Sequence, residues 1–254
     1  MDEQSGIGLP ASIQAAWGLR ERPGKGPKPG LSLARIVEAA VNLASSDGLA
    51  AVSMSRIATE LGGATMSLYR YVAAKDELLA LMVDAALGQP PPVSPDEGWR
   101  VGLSRWAWAA LAFYRGHPWT LRVPISGPPT TPNQIAWLEQ GLRCLRDTDL
   151  AEGEKFSVFL LVAGFVRNRA TLEADVGEAA TGSGTSAEEA MSGYGRLLAR
   201  LTDAQRFPAL HAVIEAGVLD RPKEPNDPNA EFVFGLERVL NGIDDVRATT
   251  LSRS

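Results

Sequence analysis

Hydrophobic positions recur at intervals of three and four along most of the chain and no stretch alternates convincingly with period two, so the pattern predicts an all-α protein. Ser32 is a good N-cap, and Leu33, Ile36, Val37, Ala40, Val41 and Ala44 then build a broad apolar stripe that Asp47-Gly48 ends. Ser53 caps a shorter helix with Met54, Ile57, Ala58 and Leu61 inward and Ser55, Arg56, Thr59 and Glu60 outward. Gly62 and Gly63 close it, since glycine reaches left-handed backbone angles without steric cost. Thr65 is placed to cap a second short helix, with Met66, Leu68 and Val72 inside and Ser67, Tyr69, Arg70 and Tyr71 mainly outside. Two short helices joined by a Gly-containing turn form a helix-turn-helix, whose second helix enters the DNA major groove. A plain packing hairpin with half-buried tyrosines is the rival reading; the density of outward hydrogen-bond donors favours DNA. A fourth helix opens at Lys75-Asp76-Glu77, buries Leu78, Leu79, Leu81, Met82 and Ala85, and ends near Gly88.

The four prolines within 88–95 mark a change of module. Beyond them Trp99, Leu103, Trp106, Ala110 and Phe113 form one stripe of a long helix, with Trp108 off it. Residues 117–130 contain Pro118, Pro124, Pro128 and Pro129 and are expected to be a loop or a short broken helix. Pro132 can start a helix that buries Ile135, Leu138, Leu142 and Leu145 and runs to about 148. A longer helix over 151–176 is apolar on nearly every side between 156 and 166, so one face is expected to bury in its own domain and another against a second copy. The small, polar stretch 177–186 is expected to be mobile, and helices follow at 187–201, 207–216 and 228–240, the last stopped by Asn241-Gly242. Ile13, Ala15, Ala16 and Trp17 predict only a marginal helix near the start. The resulting organisation is a flexible basic arm over 1–30, a helix-turn-helix DNA-binding head over 31–88 and a larger helical body over 89–254.

Composition narrows the classes. With 45% hydrophobic and 22% charged residues in 254, the chain falls among ordinary globular proteins large enough for a sizeable core. Cys144 is the single cysteine, so no intramolecular disulfide forms, and no Cys and His cluster has metal-ligand spacing. His211 and Glu215 are four apart, but two ligands without a third do not make a metal site, and neither metal nor cofactor is expected. No apolar run approaches the roughly 18 residues of a membrane span, and MDEQSGIGLP lacks the basic and apolar regions of a signal peptide. A cytoplasmic protein with no membrane partner is expected.

A net charge of −5 argues against nucleic-acid binding until its distribution is examined. Between residues 18 and 75 eight Lys and Arg face four Asp and Glu, a balance of +4, while residues 1–17 carry −2 and the remainder −7. Within 18–30, three prolines and four glycines forbid regular structure while Arg20, Arg22, Lys25 and Lys28 supply cations, the composition of a flexible arm that either reaches DNA or stays solvated. Lys75 opens the fourth helix at the positive end of its macrodipole, where a phosphate would satisfy both.

The run Asp47-Gly48-Leu49, the Ser53-led helix, Leu61-Gly62, then Leu68-Tyr69-Arg70-Tyr71-Val72 with Lys75-Asp76-Glu77-Leu78-Leu79 resembles the N-terminal domain of TetR family transcriptional regulators over about 31–87. The body resembles a tetracycline-repressor-type C-terminal domain, through its helix order and the Phe232-x-Phe-Gly-Leu-Glu-Arg ending. The resemblance implies a homodimer that binds a palindromic double-stranded DNA operator and releases it when a small-molecule effector enters the body. By position the resemblance places Thr65 and Ser67 where relatives contact bases or phosphates, Tyr69 and Tyr71 at phosphate-contacting positions, Arg70 at an exposed recognition-helix position, Lys75 at the lysine opening the fourth helix, and Ser53, Ser55 and Arg56 where the second helix makes backbone and base contacts. On physical grounds Tyr69, Tyr71 and Lys75 are then expected at phosphates, and Thr65, Ser67 and Arg70 at base edges. Gly63 and Ala64 are smaller than the polar residues common there in relatives, so fewer base contacts are expected from the turn.

In the body, Trp106, Phe113, Trp137, Phe159 and Phe165 are candidate walls for a largely apolar effector, with His117, Arg122, Arg167 and Asn168 as polar anchors. Plain core packing is the competing reading for each aromatic. Phe159, Val162 and Val166 on one helix and Phe232, Leu236 and Val239 on the last are candidate dimer contacts. A body that only dimerises or docks another protein is the alternative. A helical enzyme is remote, since no G-x-S-x-G elbow, H-E-x-x-H motif or dinucleotide fingerprint is present.

Overall fold

The computed structural model describes residues 9–19, 31–92, 94, 96–184, 186–219 and 229–251, and in it the Ser32, Ser53 and Ser186 side chains cap the helices that follow them. Helix α1 spans Ala11–Ala16 and α2 spans Leu33–Asp47, where Ser32 Oγ accepts from Arg35 N at 3.3 Å. Gly48, at φ +80°, ends α2 and leads into a 3-10 turn, Leu49–Ala51. The next three are α3 (Met54–Glu60), α4 (Thr65–Leu68) and α5 (Lys75–Leu87). After them come α6 (Trp99–Gly116), a 3-10 turn at Pro118–Arg122, α7 (Pro132–Cys144), α8 (Glu152–Ser183), α9 (Ala187–Leu201), α10 (Pro208–Glu215) and α11 (Ala230–Leu251). No strand occurs among the described residues.

Packing divides the chain into two units, one comprising residues up to Arg167 with those from Ile243 onward, the other Asn168–Gly242. In the first, α2, α3, α4 and α5 enclose a core of fully buried Ile36, Ala40, Ile57, Leu68, Val72 and Met82. Ile13 of α1 and Trp119 of the second 3-10 turn are buried in that same core. The N-terminal helix is therefore docked: Ser12 Oγ donates to Glu77 Oε2 at 2.6 Å, and Trp17 Nε1 donates to the Thr130 carbonyl at 2.7 Å. Helix α5 packs on both α2 and α7, and α6 packs on α7.

Composition suggests a break at 88–95, yet packing runs straight across that stretch. Trp137 Nε1 donates to Gly88 O at 3.0 Å and Gln140 Nε2 to Pro91 O at 2.9 Å, while the Arg105 guanidinium reaches the Pro92 carbonyl and the Glu97 carboxylate. These side chains satisfy backbone carbonyls that prolines leave without a ladder partner. In the second unit, Arg169 bridges Glu173 at 3.0 Å and Glu231 at 2.5 Å, α9 packs on α10, and Phe232 and Leu236 are buried.

Several expectations need correction. Helix α8 continues through 177–183 instead of giving way to a mobile stretch; Ala179 and Ala180 are helix formers, and the Thr181 hydroxyl bonds back to Gly177 O at 2.9 Å. Helix α11 passes Asn241-Gly242 to Leu251, with Gly242 outside the left-handed region and Ile243 buried. The buried side of α7 is Trp137, Gln140, Gly141 and Cys144, with Ile135, Leu138 and Leu142 only partly covered. Ala64, not Thr65, is the N-cap of α4, and no side chain caps that helix. Met66, expected inside, is 75% exposed.

Candidate DNA-binding face and helical body

Burial of Ile57, Ala58, Leu68 and Val72 turns the opposite sides of α3 and α4 to solvent. Ser53 Oγ accepts from Arg56 N at 3.2 Å and lies 3.2 Å from Ser55 Oγ, so the two hydroxyls form one outward pair at the start of α3. Arg56 is exposed and ion-paired to Asp47 at the end of α2. An exposed pair of this kind is worth at most about 1 kcal/mol, so a phosphate can replace the carboxylate at little cost.

Gly62, at φ +65°, turns the chain, and α4 then presents half-buried Thr65 and Ser67 with exposed Tyr69 and Arg70 just beyond its end. Tyr71 differs from expectation. Its hydroxyl donates to Leu31 O at 3.1 Å and its ring packs on the head core, so its proton is already committed to holding the start of α2. Lys75 is exposed at the first position of α5, whose N-cap Ala74 offers no side chain to the free N–H groups. The arm cations Arg20, Arg22, Lys25 and Lys28 lie outside the described residues.

In the body, the candidate effector residues gather into two groups. Trp106, Trp137 and Phe159 are buried and pack edge to face, Trp106 with Trp137 at 5.8 Å and with Phe159 at 5.3 Å between centroids. Trp106 Nε1 donates to the Trp137 carbonyl at 3.0 Å, and Gly141 leaves the space that the Phe159 ring fills. Seven residues further along α6, Phe113 stacks on His117 at 5.4 Å, and the Arg167 guanidinium lies 5.9 Å over the neighbouring Tyr114 ring and reaches Leu121 O at 3.3 Å. Phe165 is half-buried, Arg122 is exposed, and Asn168 falls in the other unit.

The expected dimer contacts are largely used up inside the chain itself. Phe159, Val162, Val166, Phe232 and Leu236 are buried within the single chain, and Val239 is partly so. The large apolar side chains left exposed on the same two helices are Phe156, Leu160, Leu161, Leu172, Val176, Val233 and Phe234. An all-round apolar helix buries one face in its own fold, and the face left over is the one available to a partner.

Sequence reasoning missed Asp84. This buried carboxylate on α5 accepts from Asn133 N at 2.8 Å and Gln134 N at 3.0 Å through Oδ1, while Asn133 Nδ2 donates to its carbonyl at 2.8 Å. It caps α7 from another helix, where the α7 N-cap residue Thr131 makes no side-chain cap and leaves its buried hydroxyl without a partner. An acid amid Leu81, Met82 and Ala85 was the available signal. Trp119 was missed too, since nothing local links a 3-10 turn in the body to the core of the head.

Among the described residues no group of three His, Cys, Asp or Glu side chains is placed to hold a metal. His211 Nδ1 and Glu215 Oε1 approach to 3.4 Å without hydrogen-bond geometry. No helix among the described residues is long and apolar enough to cross a membrane.

The family described as bacterial regulatory proteins, tetR family, matches residues 36–82, and the tetracyclin repressor-like C-terminal domain matches 91–247. The chain belongs to the TetR family. This makes it a DNA-binding transcriptional regulator, from a family whose members bind operators, dimerise and respond to small-molecule effectors. The HTH-type transcriptional repressor DrrR1 of Streptomyces coeruleorubidus is 36% identical over 95% of this chain and 88% of that protein. Among solved TetR structures, Streptomyces coelicolor ActR in complex with actinorhodin is 26% identical, with a TM-score of 0.70 over 87% of this chain and 99% of that one. ActR in complex with (S)-DNPA gives 25% identity and a TM-score of 0.68 over 84% and 96%.

Proposed function

We propose that this regulator is a repressor that grips a palindromic operator as a homodimer through the α3–α4 face and releases it when a small molecule occupies the helical body. The observation that carries the DNA half is the outward array of Ser53, Ser55, Arg56, Thr65, Ser67, Tyr69, Arg70 and Lys75 over a fully buried Ile57, Leu68 and Val72. Tyr69, Lys75 and Arg56 act on phosphates and fix the register, and Thr65, Ser67 and Arg70 meet base edges. Tyr71 supports them by anchoring α2. In a dimer, two such faces about 34 Å apart fit successive turns of one side of the duplex.

The exposed Phe156 and Leu160 on α8, and separately Val233 and Phe234 on α11, are the apolar faces offered to a second copy. For the effector half, the residues along α6 from Trp106 to His117, with Trp137 and Arg167, form the receiving region. The joints Asp84 to α7 and Trp119 to the head core transmit its state. An effector shifts the population only by its differential affinity for the two arrangements of these joints.

The test is titration of labelled DNA from the region beside the regulator's own gene, at several salt concentrations, with actinorhodin and (S)-DNPA as first effector probes because ActR binds both in its crystals. Lys75→Ala and Tyr69→Phe should weaken binding to every sequence alike, and Lys75→Ala, which gives up one phosphate, should also lower the salt slope by about one. A folded dimer that binds no such DNA at low salt would refute the operator reading. Binding that no small molecule weakens favours a body that only dimerises or docks another protein.

A further inference from the structure

The most exposed large apolar side chain among the described residues is Met66, at 75%, on the helix proposed to enter the major groove. Every neighbour that belongs to the head core does the opposite, with Ile57, Leu68 and Val72 at 0%. Met66 stands between Thr65 and Ser67, and the spacing of three and four places it on one outward side with Tyr69 and Arg70. A flexible, polarisable side chain aimed into water beside a row of hydrogen-bonding groups gains nothing in the free protein. On a face proposed to lie in the major groove, covering it against a base edge would recover that exposed area.

Base edges in the major groove offer a single apolar feature, the C5-methyl of thymine. We infer that Met66 is a specificity-determining residue that packs on a thymine methyl once per operator half-site, with the Tyr69 ring closing the same contact from one turn along. The inference rests on the DNA-binding reading of the α3–α4 face and deepens it, because it names an apolar determinant among the polar ones. A protein partner at this position is disfavoured: the helix is only Thr65–Leu68, and the side chains around Met66 are those best suited to nucleic acid.

The experiment replaces each thymine of a footprinted operator with deoxyuridine, which deletes the methyl and keeps every hydrogen-bonding group. Wild-type protein, Met66→Ala and Met66→Leu are titrated against each duplex. One thymine per half-site should prove sensitive for the wild type, weakening binding about fourfold, the effect of one buried methyl. Met66→Ala should bind the thymine operator more weakly and lose that sensitivity, and Met66→Leu should keep part of it. Since Met66 is exposed, circular dichroism should show all three equally folded. Equal affinity of Met66→Ala and wild type, or a uracil penalty that persists in Met66→Ala, overturns the assignment while leaving DNA binding intact. A folded wild-type protein that binds no duplex overturns the DNA-binding reading and this assignment with it.

Discussion

Asp84→Ala isolates the joint between the DNA-binding head and the body. The substitution removes a buried carboxylate that accepts two backbone N–H groups of α7 at 2.8 and 3.0 Å. Loss of a cap costs about 1 kcal/mol, and a buried backbone N–H left without a partner costs about 1–3 kcal/mol. Thr131, whose buried hydroxyl is unpartnered, can rotate to recover part of one bond, which brings the expected loss to about 2 kcal/mol. In a protein of this size that lowers Tm by roughly 4–8 °C. Asp84→Asn keeps an acceptor but loses the charge that complements the helix N-terminus, so it should cost about half as much. Thermal unfolding reads this first effect. The second is functional: with the carboxylate cap gone and α5 held to α7 only by packing and the Asn133 bond to the Asp84 carbonyl, operator affinity without effector should persist while the drop in affinity caused by effector shrinks. A variant that melts with the wild type, or that loses DNA affinity on effector addition by the wild-type factor, refutes the joint.

Further consequences are equally open to measurement. Leu160→Glu and Phe234→Glu, at positions 53% and 63% exposed, should yield folded monomers by light scattering, whereas Val162→Glu should unfold the protein because that position is fully buried. A stable dimer after both surface changes would move the interface elsewhere. Gly141→Ala should cost about 1–3 kcal/mol in chemical denaturation, since a Cβ there would stand 2.6 Å from the Phe159 ring; unchanged stability would mean that the aromatic cluster yields freely. Burial pushes the Cys144 thiol up to about 11. It should therefore resist alkylation in the native state at pH 8 and react on unfolding. Because the folded value lies above the unfolded one, near 9, its contribution to stability is complete below pH 9 and declines as pH rises toward 11. Rapid native-state labelling at pH 8 would contradict the burial.

What was legible in the sequence was local. Ser32 and Ser53 cap helices within four residues of themselves, and Gly48 and Gly62 end them, so the head could be read position by position. Met66 shows where that reasoning fails. In a one-turn helix the phase of a periodic pattern is set by two or three residues, and an apolar residue is assigned inward by type alone. The candidate dimer contacts turned out to be buried within the chain for a related reason. Between 156 and 166 the helix is apolar on all sides, so no moment distinguishes the face its own fold uses from the face left bare. Asp84 and Asn133 are 49 positions apart and carry no joint signature along the chain. The Pro-rich stretch lies between the two family matches, over 36–82 and 91–247, as its composition suggests, but composition does not show that its carbonyls are held from the body. A free linker would absorb any movement of α7 before the head felt it. Trp137, Gln140 and Arg105 remove that slack by holding Gly88, Pro91 and Pro92, and Asp84 fixes the helix just before them. A small shift of α7 then has no compliant segment in which to dissipate. Under the proposed release it would be passed to α5, and with it to the face that carries Lys75 and packs on the helices ahead of it.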